Sequence, residues 1–166
     1  MGEVEVSLFV NKQSDFIVLH SANLTIIEVL FVDFSNVSSV PFLEFPYHEQ
    51  IYVKLPRTVQ QGYRFKLYII FRGVFPDQNV MEGFYRSEYE INGKTKYMAS
   101  TQFAPIAARR AFPCFDEPMF KANFSLDIVR EKSQITLFNT DSVLVMNHCS
   151  IFSSTASFAK SSDNFC

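Results

Sequence analysis

The residues that first suggest chemistry are His48 and Glu49, in the run HEQIY. A His-Glu-x-x-His helix sets two imidazoles one turn apart on zinc and lets the glutamate activate water. Here the fifth position is Tyr52, and the run lies between Pro46 and Pro56 in an extended, β-like context. Residues four apart on extended backbone stand much farther from one another than they would on a helix. The stretch therefore reads as a surface loop entering a strand, and no metal site is assigned. His20 and His148 have no carboxylate at metal-ligand spacing beside them. No G-x-S-x-G elbow and no phosphate-cradling glycine loop occurs. Cys114, Cys149 and Cys166 form no C-x-x-C pair, and an odd number cannot all pair within one chain. Cys114 reads as a buried structural thiol. No catalytic residue is assigned.

The most distinctive stretch is 101–122, TQFAPIAARRAFPCFDEPMFKA. It sets the adjacent arginines Arg109 and Arg110 near the adjacent carboxylates Asp116 and Glu117, among prolines that fix the backbone. Paired carboxylates can do acid–base work, but neighbours on extended backbone point to opposite faces. The structural reading is a rigid loop whose arginines pair with those carboxylates and whose Phe112 and Phe115 plug a core or an interface.

The elements that must carry this loop are strands. Nineteen Phe and seven Tyr without a Trp suit pleated sheets. Apolar and polar residues alternate over 3–10, 63–72 and 124–129, and the runs 16–19, 24–34, 49–55, 84–91 and 96–101 are also strand-like. Turns are expected at 21–23, joining neighbouring strands, and at 35–39; Pro56 is expected to end the strand before it, and 134–138 to follow 124–129 as a further strand. Residues 105–111 have room for one helical turn. The expected fold is all-β and antiparallel, with one domain over 1–146 and a divergent, disordered tail over 147–166.

Composition excludes several classes of partner. Fifteen basic against seventeen acidic residues give a net charge of -2, with no basic stripe for nucleic acid. The apolar run 24–34 is broken by Thr25, Glu28 and Asp33, and falls short of the roughly 20 residues that span a membrane. No signal-peptide pattern opens the chain. Asn23, Asn36 and Asn123 nevertheless each begin an N-x-S/T acceptor, which matters only in the secretory pathway.

The 101–122 stretch resembles the signature of the N-terminal domain in zinc aminopeptidases of the aminopeptidase N type, where TQ-F/M-E/Q leads into ARRAFPCFDEP. The resemblance extends back through GFYRSEY at 83–89, QGYRFKLYIIFRG at 61–73 and IVLHSANLTI at 17–26. It covers roughly 2–129, with a weaker trace to about 146. The resemblance implies a curved, saddle-like β assembly, incomplete here at both ends. It implies a non-catalytic domain whose complete form removes N-terminal amino acids from peptides. Zinc, the G-x-M-E-N motif and the His-Glu-x-x-His helix belong in that family to a separate domain, and neither motif occurs here, so no cofactor is expected in this chain. Substrate-binding residues carry over to Gln102 and to Ala104, which stands where the family usually has Glu or Gln. A methyl group accepts no hydrogen bond, so weaker capture of the substrate's amino group is implied. Peptide is then a partner only together with a catalytic domain. Another protein or a homologous chain is the alternative partner of a stand-alone module that binds through an exposed sheet edge. The family is often extracellular or membrane-anchored, and with the acceptors at Asn23, Asn36 and Asn123 this leans towards an extracellular or membrane-attached parent.

Overall fold

Successive side chains of a strand face opposite ways, and the first strand shows the consequence. In β1 (Gly2–Phe9) Val4, Val6 and Leu8 are half-buried, while Glu3, Glu5 and Ser7 are exposed. The computed structural model describes residues 1–34, 36–77, 80–131, 133–140, 142–145 and 150–156. The strands that follow are β2 (Ser14–His20), β3 (Leu24–Asp33), β4 (Asn36–Ser39), β5 (Phe42–Phe45), β6 (Gln50–Val59), β7 (Arg64–Gly73), β8 (Gly83–Ile91) and β9 (Lys94–Gln102), then β10 (Phe124–Arg130), β11 (Ser142–Val145) and β12 (Ser150–Ala156). Helical structure among the described residues is confined to 3-10 turns at Pro46–His48 and Ala108–Arg110. Every ladder is antiparallel, so the expected all-β antiparallel class is borne out. The chain forms two compact units, Met1–Glu117 and Pro118–Cys166.

The first unit holds a four-stranded sheet of order β1-β7-β3-β4, a three-stranded sheet β2-β6-β5 and the ribbon β8-β9. β7 is flanked on both sides, and its Phe65, Leu67, Ile69 and Phe71 are all buried. They share one core with Ile26, Val29 and Phe31 of β3 and with Leu19, Ile51, Val53, Leu55 and Val59 of the second sheet. The two sheets thus bury their apolar faces in a common core, the main source of stability for such a fold. In β3 the register shifts between Ile26 and Glu28. This bulge turns Ile27 outward and lets Ile26 and Val29, three apart, share the buried face.

Several local expectations are corrected by long-range pairing. Pro56 does not end its strand, because β6 continues to Val59. The β2–β6 register slips between Ser14↔Val59 and Phe16↔Lys54, so Pro56 falls in the irregular stretch, where a missing N–H costs no ladder bond. Residues 36–39 are a strand and not a turn, held by pairing with β3. β2 and β3 follow one another across 21–23 yet lie in different sheets. The strand-like runs 84–91 and 96–101 are joined through Asn92 and Gly93: both residues have positive φ, and Ile91 pairs Lys94 in a two-residue hairpin.

In the second unit β12 lies between β10 and β11. The strand expected at 134–138 does not form. The Gln134 side chain accepts the Glu131 N–H at 3.1 Å, its own N–H returns to the Glu131 carbonyl at 3.1 Å, and Ile135 and Leu137 face solvent. β12 lies within 147–166, the span read as a tail; residues 146–149 and 157–166 are outside the described set.

Candidate functional site

β9 delivers the chain to Gln102, which pairs Gly83 at the root of the ribbon. A turn follows in which the Phe103 carbonyl accepts the Ala107 N–H at 2.8 Å, and Ala108–Arg110 then makes its 3-10 turn. Beyond it Cys114 and His20 exchange two backbone hydrogen bonds, of 2.8 and 3.1 Å, and the Arg109 carbonyl accepts the Ala22 N–H at 3.0 Å. The loop therefore binds to the end of β2 like a short extra strand. Pro113 is fully buried, and Phe112 and Phe115 pack against the core, as the sequence suggested.

The arginines are held by carboxylates from three separate parts of the chain. Arg109, only 8% exposed, places Nε 3.0 Å from Asp116 Oδ2 and a terminal nitrogen 3.1 Å from Glu49 Oε2. Its own backbone N–H also donates to Asp116 Oδ2, at 3.3 Å. Arg110 reaches Glu49 Oε1 at 3.4 Å and Glu82 Oε2 at 3.3 Å. Pairing within the loop thus holds for Asp116, while the other carboxylates of this network are Glu49 and Glu82 in place of Glu117. A guanidinium so buried needs these partners, because an unpaired buried charge is far more costly than a paired one.

Glu49 stands at φ +52, just after the 3-10 turn Pro46–His48, and its carbonyl accepts the Ser21 N–H at 2.8 Å. The HEQIY run is thus a loop entering β6. Among the described residues no group of three or more His, Cys, Asp or Glu could hold a metal ion, and Glu49 is committed to two arginines. The residues present do not fit zinc.

Two titratable groups complete the network. His20 Nδ1 accepts the Asp116 N–H at 3.3 Å, which requires that nitrogen to be unprotonated. Burial, then the Arg109 guanidinium, holds the His20 pKa below its ordinary value, against opposing pulls from Glu117, Asp116 and Glu49. The Cys114 thiol is pushed up to about 12, mainly by burial and further by Asp116. A thiol this weakly acidic is a poor nucleophile at neutral pH. Nothing local marked His20, Glu49 or Glu82 as partners of this loop, and Glu49 drew attention only as half of a zinc motif, since 60 residues separate it from Arg109 in the chain.

The residues carried over by resemblance lie on the outside of this scaffold. Gln102 ends β9 and Ala104 sits in the next turn; both are exposed. Gln102 offers an amide, Ala104 only a methyl group. Asn23, at φ +57 in the β2–β3 turn, Asn36, opening β4, and Asn123, just before β10, are exposed as well. His148, Cys149 and Cys166 lie outside the described residues.

The family model of the peptidase M1 N-terminal domain matches residues 1–162. The chain is 37% identical to bovine (Bos taurus) endoplasmic reticulum aminopeptidase 2 over 146 residues, covering 84% of this chain and 15% of that protein. It is 33% identical to the thyrotropin-releasing hormone-degrading ectoenzyme of Rattus norvegicus over 141 residues, covering 83% of this chain and 13% of the relative. With Candida albicans aminopeptidase 2 it shares 36% identity over 139 residues, 84% of this chain and 14% of that one. The chain thus spans about one seventh of the length of these relatives. An antiparallel β unit that exposes TQFAP on an arginine-braced loop, matched over nearly its whole length, belongs to the peptidase M1 N-terminal domain family.

Proposed function

We propose that this chain acts as the non-catalytic N-terminal domain of a zinc aminopeptidase, whose complete form removes N-terminal amino acids from peptides. On this reading zinc and the hydrolytic step belong to a separate catalytic domain. This chain contributes Gln102, and the position held by Ala104, to the pocket for the free amino end. The observation that carries the reading is the placement of TQFAP: exposed, yet tied to the 3-10 turn and its ion pairs. Gln102 Oε1 can accept a hydrogen bond from an ammonium group, whereas the Ala104 methyl adds only bulk.

The test grafts this chain in place of the N-terminal domain of a full-length relative and follows hydrolysis of amino-acid anilides. The graft is expected to turn over with a raised KM. Ala104→Glu is expected to lower KM by about 5- to 150-fold, the equivalent of a charged hydrogen bond of about 1–3 kcal/mol. Turnover by the 166-residue chain alone, with stoichiometric zinc, would overturn the reading, as would indifference to Ala104→Glu. A second reading, strand addition by another chain, is favoured by the edge position of β1, which has β7 on one side only among the described residues. Sedimentation analysis distinguishes it, since that reading requires self-association or peptide binding by this chain alone.

A further inference from the structure

Arg109 and Arg110 are consecutive on one 3-10 turn, and a single carboxylate reaches both: Glu49 Oε2 takes Arg109 and Oε1 takes Arg110. Glu49 is itself firmly seated, its N–H on the Pro46 carbonyl at 3.1 Å and its carbonyl on the Ser21 N–H. It also opens into β6, whose Ile51 and Val53 are core residues. The other side of the 3-10 turn abuts the ribbon at Gly83, the rung opposite Gln102. A Cβ on Gly83 would lie 2.6 Å from Arg110 Cβ, 3.2 Å from its carbonyl carbon and 3.3 Å from the Ala107 carbonyl oxygen. Glu82, one residue earlier, pairs Arg110 directly. The Phe103 carbonyl, one residue past Gln102, is tied to Ala107.

These contacts form a continuous path from the core to the exposed amide. We infer that Glu49 is a positioning residue: by orienting both arginines it fixes the 3-10 turn against the Gly83–Gln102 rung and so sets where Gln102 is presented. The functional value of that placement rests on the pocket role proposed above; the placement itself does not.

Amide hydrogen exchange on the full 166-residue chain, with Glu49→Gln, provides the test. The amide keeps the shape and one acceptor oxygen but loses the charge that holds two guanidiniums. Exchange at Ala107, Arg110 and Ala22, whose N–H groups bond within or onto the loop, is expected to quicken about tenfold or more. Exchange at Leu67 and Ile69 of β7 is expected to stay within about twofold, and Glu49→Asp is expected to restore much of the loop protection. A uniform rise that includes β7 would overturn the inference, because it would make Glu49 a general stabiliser only. No change at the loop amides would overturn it too. In the graft, Glu49→Gln is expected to raise KM with kcat nearly unchanged. A graft with no activity before mutation counts against the proposed function, and the exchange pattern still decides the role of Glu49.

Discussion

Replacing Arg109 with Met removes the charge while keeping a long apolar stem in the same space. The side chains of Arg109 and Asp116 are only 10% and 12% exposed, so water cannot replace the lost partner of Asp116. Breaking a buried pair by deleting one member costs about 3–5 kcal/mol. The low end applies here, because Glu49 is 31% exposed and keeps Arg110. The expected loss is about 3 kcal/mol, or a urea midpoint lower by roughly 1–3 M for a domain of this size. No tryptophan is present, so far-UV circular dichroism and tyrosine fluorescence are the probes. Arg110→Met is the control: its contacts are longer and more exposed, and its loss is expected to stay under about 1 kcal/mol. Equal effects of the two substitutions, or a change below about 0.5 kcal/mol for Arg109→Met, would refute the claim that the buried pair holds the loop.

Other consequences follow from single groups. Gly83→Ala combines a φ of +69 with a 2.6 Å approach to Arg110 Cβ, and is expected to cost about 1–3 kcal/mol in the same urea titration. With its pKa lowered in the folded chain, His20 takes up a proton more readily when unfolded. Its contribution to stability is therefore complete above the ordinary value of about 6.5 and is lost as pH falls through the folded pKa. Between pH 7 and 5 the native chain is expected to lose more stability than His20→Asn, whose side-chain oxygen can still accept the Asp116 N–H. In a chain carrying Cys149→Ser and Cys166→Ser, Cys114 is expected to alkylate at pH 8 at least about tenfold more slowly when folded than in urea. Equal rates would contradict its burial.

Strands whose two faces differ were legible directly: the alternation of β1 and of β7 names its own buried side, because period two and a wet face leave one arrangement. The runs 84–91 and 96–101 were legible as strands with Gly93 as the turn signal between them, and the structure closes them into a hairpin through Asn92 and Gly93, both at positive φ. Pro56 misled because its rule assumes a regular ladder, and the β2–β6 slip was not visible in either strand alone. The 36–39 stretch has turn-like residues and becomes a strand only because β3 lies beside it.

The site divides along the same line. Composition and local spacing by themselves set the all-β class, the Phe112 and Phe115 plugs and, of the expected pairing between the two arginines and the two loop carboxylates, the Arg109–Asp116 pair. Resemblance in the 101–122 stretch singled out Gln102 and Ala104. Only the tertiary structure decided that Glu49, which in sequence looks like half of a zinc motif, is the brace for two arginines 60 and 61 residues away. Strand periodicity acts over neighbouring residues and survives in any context that buries one face. An ion pair across 60 residues depends on which strands meet and in what register, and that is settled by burial of the common core.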